Sequence, residues 1–154
     1  METTLVLIKP DGVQRRLVGR ILGRFEEKGL QVVGLRLARL ERALLEKHYA
    51  AHKGKPFYEG LVTYMASSPV VAIALRGKSA VAVVRKMMGA TFGSKAEPGT
   101  IRGDFAISDG FNLVHGSDSP EAAAKEIGIF FDGALVEWTP GDLSWVYDVS
   151  DGAR

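Results

Sequence analysis

The chain has 154 residues, 46% hydrophobic and 25% charged, with a formal net charge of +2 and no cysteine. That balance describes a folded domain with a buried core, and it excludes a disordered chain and any disulfide or thiol chemistry. No apolar run approaches the roughly 20 residues a membrane-spanning helix needs, and Met1–Val6 lacks the basic stretch and apolar core of a secretory signal, so a cytoplasmic protein with no membrane partner is expected.

In chain order, Thr4–Ile8 is an apolar run ending at Lys9-Pro10-Asp11-Gly12, where Pro-Asp-Gly is turn chemistry. A strand that carries Lys9 at its end is predicted. Leu17, Val18, Ile21, Leu22 and Phe25 repeat with helical period, and Gly29 is a natural stop. Leu30–Leu40 reads as a strand, Ala43–His52 and Phe57–Met65 as helices, and the β-branched run Pro69–Leu75 as another strand. Val81, Val84 and Met88 mark a helix ending near Gly89. Ala90–Gly110 reads as a long irregular segment, and loops of that length are often functional. A short strand, Phe111–Val114, precedes a helix from Pro120 to about Phe131 with Ser119 as its cap.

Without the extra helices the order is β-α-β-β-α-β. That predicts an α+β, ferredoxin-like split sandwich with an antiparallel four-stranded sheet, additional helices and a C-terminal arm. One domain over 1–154 is expected, with about 138–154 as the extension. Such a scaffold hosts many functions and decides no chemistry.

Histidine is scarce: only His48, His52 and His115 occur. The first two lie four apart on a predicted helix but lack the intervening glutamate of a zinc-protease motif. They read as an exposed helix face, with no protein-held metal expected. His115 is placed at the end of a short strand, just before a helix N-terminus whose N–H groups favour anions. An imidazole nitrogen there can attack phosphorus when an acceptor orients the other nitrogen. On the following helix Glu126 shares a face with Ala122, Ala123, Ile127 and Phe130. It reads either as a solvated edge position or, with Ser117, as the group that fixes the histidine's tautomer.

Lys9, Arg85 and Arg102 are cations at a strand end, on a helix entering the long loop and within that loop, and Thr91 adds a hydroxyl. Phosphoryl transfer needs positioning and distributed positive charge more than covalent chemistry. Arg15, Arg16, Arg20 and Arg24 crowd into ten residues, as a solvated helix face or a lining for anions. Gly77-Lys78-Ser79 fails as a P-loop, because alanine stands at position 72 where the pattern needs glycine. Nucleic acid is not an expected partner, since no predicted strand carries the paired aromatics that stack bases.

Asn112-Leu113-Val114-His115-Gly116-Ser117-Asp118-Ser119, Pro98-Gly99-Thr100-Ile101-Arg102-Gly103-Asp104-Phe105 and Ile8-Lys9-Pro10-Asp11-Gly12-Val13 closely resemble the signatures of nucleoside diphosphate kinases. Shorter matches are His48-Tyr49, Lys55-Pro56-Phe57, Gly60-Leu61-Val62 and Ser68-Pro69-Val70-Val71, and the resemblance runs from Thr3 to about Tyr147. It implies a ping-pong kinase that moves a γ-phosphate between nucleoside triphosphates and diphosphates through phosphorylated His115. Ser117 and Glu126 would support the histidine. Lys9, Tyr49, Arg85, Thr91, Arg102 and Asn112 fall at nucleotide and phosphate positions, with Lys9 and Asn112 toward the sugar hydroxyls and Arg85, Thr91 and Arg102 on the phosphates. Phe57 would stack on the base. Mg2+ would arrive on the nucleotide phosphates with no direct protein ligand, and the chain would assemble as a homo-oligomer, a hexamer by the look of the arm.

The sequence departs from that pattern in three places. Phe92-Gly93 replaces the usual Asn-Pro after Thr91, Asp109 stands where many relatives carry an apolar residue near the base, and Phe111 replaces an often polar one. An altered loop path and altered base contact are the expectations.

Overall fold

In the computed structural model, which describes residues 1–152, four strands form one sheet in the order β2-β3-β1-β4 with every pair antiparallel. These are β1 (Glu2–Ile8), β2 (Gln31–Ala38), β3 (Val70–Gly77) and β4 (Val114–Gly116). The helices are α1 (Pro10–Gln14), α2 (Val18–Glu27), α3 (Arg42–His48), α4 (Tyr58–Ala66), α5 (Ala80–Met88), α6 (Ile101–Phe105), α7 (Pro120–Phe131) and α8 (Leu143–Val146). Each crossover, β1-α2-β2 and β3-α5-β4, skips one strand position. This is the split, ferredoxin-like arrangement expected from the order of elements.

The two central strands are buried on both faces, and alternation along β1 sorts the core. Val6 and Ile8 pack with Ile21 and Phe25 of α2 and Val84 and Met88 of α5. Leu5 and Leu7 point the other way, toward Leu45, Val62, Met65 and Phe130 of α3, α4 and α7. Each such side chain, wholly withdrawn from water, stabilises the fold by ~1.5–3 kcal/mol before the entropy cost of ordering it.

This sorting aims the histidine. His115 pairs directly with Leu7 across β1 and β4, and opposed residues of an antiparallel pair share a face. His115 therefore projects toward α3 and α7, while Val114 joins the α2/α5 core and Gly116 lies against Met88 of α5.

Three readings of the sequence need correcting. The Pro10-Asp11-Gly12 turn is the start of α1, with proline at its first position and Asp11 in its first turn. The long loop contains α6, capped by Thr100 Oγ1, which accepts the Gly103 N–H at 3.0 Å. Gly103 permits this closure, since a Cβ there would lie 1.8 Å from the Glu97 carbonyl oxygen. The last strand begins at Val114, not Phe111, so His115 lies within it rather than after it. Leu113 interrupts the extended backbone before it with φ of 69°.

After α7 the chain returns along β2. The Val136 N–H donates to Val33 O at 2.8 Å, and Trp138 Nε1 donates to Val32 O at 2.9 Å. Arg76 holds Glu137 through two hydrogen bonds of 2.6 and 2.7 Å. The rest of the β2 edge is open, with Leu35 and Leu37 at 55% and 67% exposure. Among the described residues no helix is long and apolar enough to cross a membrane.

Candidate active site

His115 and Glu126 form the centre of the site. The imidazole Nε2 lies 2.6 Å from Glu126 Oε2, and both side chains are largely withdrawn from solvent. A carboxylate accepts and does not donate, so Nε2 is the donor in this contact, and in the neutral ring Nδ1 keeps the lone pair. Glu126 reaches the ring because α7 runs from its Ser119 cap with Ala123, Ile127 and Phe130 buried on the same side. Of the two readings left open for Glu126, the solvated edge position does not match this carboxylate, which is 12% exposed and in contact with the ring. The ring meets the side of α7 at Glu126.

Ser117 is fully buried. Its hydroxyl accepts the Leu5 N–H at 3.4 Å, and its own N–H donates to Leu5 O at 3.1 Å. It ties the end of β4 to β1, one pleat beyond the histidine.

His48 corrects the sequence reading. It turns inward from the end of α3, its ring centroid 5.2 Å from that of His115 with the planes at 90°, and 5.0 Å from that of Phe130. Both of its ring nitrogens are buried without a hydrogen-bond partner. Burial, reinforced by the His115 ring, lowers its pKa to about 4, so it is neutral across the physiological range. Tyr49 is buried beside it, and that burial, with the Glu126 carboxylate adding to it, raises its phenol above the usual tyrosine range.

The cations engage the segments that flank His115. Lys9 Nζ donates to Asn112 Oδ1 at 2.7 Å, and Asn112 Nδ2 donates to the Thr91 carbonyl at 2.8 Å. The Thr91 side chain itself is exposed. Burial first, and the Arg102 charge second, lower the Lys9 pKa to about 8 against the opposing pull of Asp11. Arg102 is buried and donates to three carbonyls: Asn112 at 3.1 Å, Gly89 at 3.2 Å and Val114 at 2.7 Å. Two of its five N–H donors remain for a ligand. Burial, then the Arg85 charge, bring it down to about 10. Arg85 donates to Gly116 O at 3.4 Å. Two guanidiniums therefore grip the residues before and after His115.

Phe57 stands apart from these groups. It is half exposed just before α4, its ring 5.4 Å from that of His52 and 5.8 Å from Lys55 Nζ.

Sequence reasoning gave no role to Asp11. One carboxylate oxygen accepts the Tyr64 hydroxyl and the other the Leu113 N–H at 3.1 Å. It thereby holds Leu113 in its left-handed conformation, two residues ahead of the histidine. The signal was present in the Lys9-Pro10-Asp11-Gly12 match, which marked the position without saying what the side chain does.

Of the two alternatives for the arginine cluster the solvated face is nearer, since Arg15, Arg16 and Arg20 are exposed, but three of the four side chains also make contacts. Arg15 donates to Phe105 O at 2.7 Å, Arg24 pairs with Asp104, and Arg20 and Arg24 each lie 4.6 Å above the Phe105 ring. These side chains clamp α6, and with it Arg102, against α2.

A family model described as nucleoside diphosphate kinase matches residues 2–136. The chain is 54% identical over 150 residues to the nucleoside diphosphate kinase of Thermosynechococcus vestitus, covering 97% of this chain and 100% of that one. It is 55% identical to that of Pelotomaculum thermopropionicum over 149 residues, with 96% and 100% coverage. The chain belongs to the nucleoside diphosphate kinase family. A solved nucleoside diphosphate kinase from Halobacterium salinarum, in complex with CDP, superposes with a TM-score of 0.93 at 47% identity, over 96% of this chain and 99% of that one.

Against the usual pattern of nucleoside diphosphate kinases, two of the three departures form a single join. Asp109 Oδ1 accepts from Ser94 Oγ at 2.6 Å and from Ser94 N at 3.4 Å, immediately after Phe92-Gly93. A Cβ on Gly93 would lie 2.6 Å from Ala106 O and 2.7 Å from Ser108 O. Glycine lets the two arms of the loop touch, and Asp109 holds them there. The third departure, Phe111, is exposed with its ring 5.2 Å from that of Tyr64.

Proposed function

We propose that this nucleoside diphosphate kinase works by a ping-pong reaction in which His115 Nδ1 carries the phosphate. The observation behind the reading is the 2.6 Å contact from Nε2 to Glu126; with Nε2 as the donor, the neutral ring keeps its lone pair on Nδ1. In the first half-reaction the Nδ1 lone pair attacks the γ-phosphorus in line. The bond from that phosphorus to the bridging oxygen breaks, and the diphosphate leaves with the electron pair. In the second, an oxygen of the acceptor's terminal phosphate attacks the same phosphorus and the N–P bond returns its pair to Nδ1. The Nε2 proton stays directed at Glu126, whose carboxylate offsets the charge on the ring.

Arg85, Arg102 and the Thr91 hydroxyl bind the phosphates, Lys9 and Asn112 the sugar side, and Tyr49 lines the approach to the histidine. Phe57 stacks on the base, and because every base offers a π-face this favours breadth over base discrimination. The two carboxylates tied into the site are both engaged, Glu126 by His115 and Asp11 by Tyr64 and Leu113. Mg2+ would be held by the nucleotide phosphates, where it would offset their charge. The same phosphoanhydride chemistry runs in both directions, so the reaction is near thermoneutral.

The whole chain acts as one unit in the cytoplasm, as a homo-oligomer and specifically a hexamer. The exposed Leu35–Leu37 edge and the exposed Phe92 and Ile107 supply apolar surface for contacts between copies.

Initial rates with ATP against GDP, CDP or UDP test the mechanism. Parallel double-reciprocal lines with every acceptor are expected; intersecting lines would demand a ternary complex and exclude the relay.

A further inference from the structure

We propose that His48, His115 and Glu126 also form a binding site for a borderline-soft divalent cation such as zinc, and that a cation held there halts phosphoryl transfer. The three residues come from three elements, the end of α3, the middle of β4 and the inner face of α7. Each offers one ligand atom, and these atoms all lie within 4.8 Å of one another. Among the described residues no other group of three potential ligands converges in this way.

Zinc bonds of about 2.0–2.1 Å in tetrahedral geometry place ligands about 3.3 Å apart. Binding therefore requires the His115–Glu126 contact of 2.6 Å to open slightly and the longer separations, none above 4.8 Å, to close. Two imidazoles and a carboxylate form a recognised zinc set with one coordination position left over. The same set is a poor one for magnesium, which prefers oxygen and keeps its waters. The cation that accompanies the substrate therefore does not compete here.

The second, independent observation is His48 itself. Its two ring nitrogens are buried without a partner, in a wall made by Tyr49 and Phe130. Buried polar groups without a partner are rare in folded proteins and call for a specific explanation. The relay as proposed gives His48 no task. A cation bound between it and the dyad supplies one.

Coordination through either nitrogen of His115 disables the relay. At Nδ1 it occupies the attacking lone pair. At Nε2 it displaces the proton shared with Glu126, releases it to solvent and drains electron density from the ring. This inhibitory consequence rests on the reading of His115 as the nucleophile; cation binding does not.

The test is a zinc titration of the purified, chelator-free protein without nucleotide, read by competition with a chromogenic zinc chelator. It is paired with kinase assays in excess Mg2+ and with γ-labelling of His115. One zinc per chain is expected, with inhibition that EDTA reverses. Loss of an outer-shell partner alone weakens metal sites about 10–100-fold, so removing a ligand should cost about a hundredfold or more. His48→Phe and Glu126→Gln should each show that loss of zinc affinity, while His52→Ala binds zinc as the parent does. Should His48→Phe fail to fold by circular dichroism, Glu126→Gln and the absorption spectrum of the Co2+-loaded parent, intense only for a tetrahedral site, decide the point. Absence of a one-per-chain zinc site, or unchanged affinity in both ligand variants, would overturn the proposal. Zinc that binds without slowing labelling would overturn the inhibitory role. Absence of label on stripped protein would instead sink the nucleophile reading and leave the binding result to stand alone.

Discussion

Glu126→Gln isolates the contribution of the histidine's partner. The substitution keeps the size of the side chain but replaces a charged acceptor with an amide, at a contact of 2.6 Å that is only 12% exposed on the glutamate side. A hydrogen bond to a charged group contributes ~1.5–3 kcal/mol against ~0.5–1.5 kcal/mol for a neutral one. The difference, about 1–1.5 kcal/mol, is felt most as positive charge builds on the ring, and corresponds to a roughly five- to thirteenfold slower phosphorylation. A second effect adds to this. If the amide turns its NH2 to the ring, Nε2 must accept, the proton moves to Nδ1 and the attacking lone pair is lost. A total fall of about ten- to a hundredfold is expected, reaching at most the lower end of the ~10²–10³ lost when one preorganised oxyanion-hole donor is removed from an active site. Rapid-quench labelling of His115 under single-turnover conditions measures the step directly. The nucleotide KM should barely change, because Glu126 touches the ring and not the nucleotide. A labelling rate within about twofold of the parent, or a loss confined to KM, would refute the reasoning.

Three further outcomes follow from other parts of the site. Lys9 titrates at about 8 in the fold, against an ordinary value of 10.5. The unfolded chain therefore binds the extra proton between these values, and Lys9's contribution to stability rises with pH across that window while its burial penalty is felt in full below it. Nucleotide affinity, which draws on the Lys9 charge, should fall above about pH 8. Lys9→Arg should remove that limb in calorimetric titrations, and identical pH curves for the two proteins would rule the assignment out. Gly93→Ala places a methyl against two backbone carbonyls that cannot rotate away; a loss of about 1–3 kcal/mol is expected, read as a lowered thermal midpoint, and an unchanged midpoint would contradict the described loop closure. Removing residues 138–154 discards the Trp138–Val32 bond and the return along β2; light scattering should show weakened assembly, and an unchanged particle mass would contradict the role given to the arm.

The sequence announced the sheet and the helices packed upon it because strands two-faced in their burial and helices with apolar stripes leave periodic marks. What it hid were short elements whose stabilising features are tertiary. Pro10-Asp11-Gly12 carries the same residues whether it turns or opens α1, and only the packing of Gly12 beneath Leu113 and Ile8 decides. α6 lay concealed among glycines, since its cap and the Gly103 closure are contacts, not periodicities. The strand boundary at Val114 follows from Asp11 and Lys9 holding the Leu113 backbone, a relation across more than a hundred residues. His48 was misread because helical spacing was extended to His52, whereas the α-helix ends at His48 and the chain continues as a 3-10 turn. Glu126 was visible as a carboxylate on an apolar face of α7, but its contact with His115 on β4, and the choice of nitrogen, required the fold.

The most direct test of the relay mixes the pure protein with γ-labelled ATP and Mg2+, with no acceptor, and follows label on the polypeptide. Acid-labile, base-stable phosphate that added GDP discharges, and that His115→Ala lacks, is the predicted result. A folded, nucleotide-bound protein that takes up no label, or one in which His115→Ala labels as well as the parent, would contradict the account.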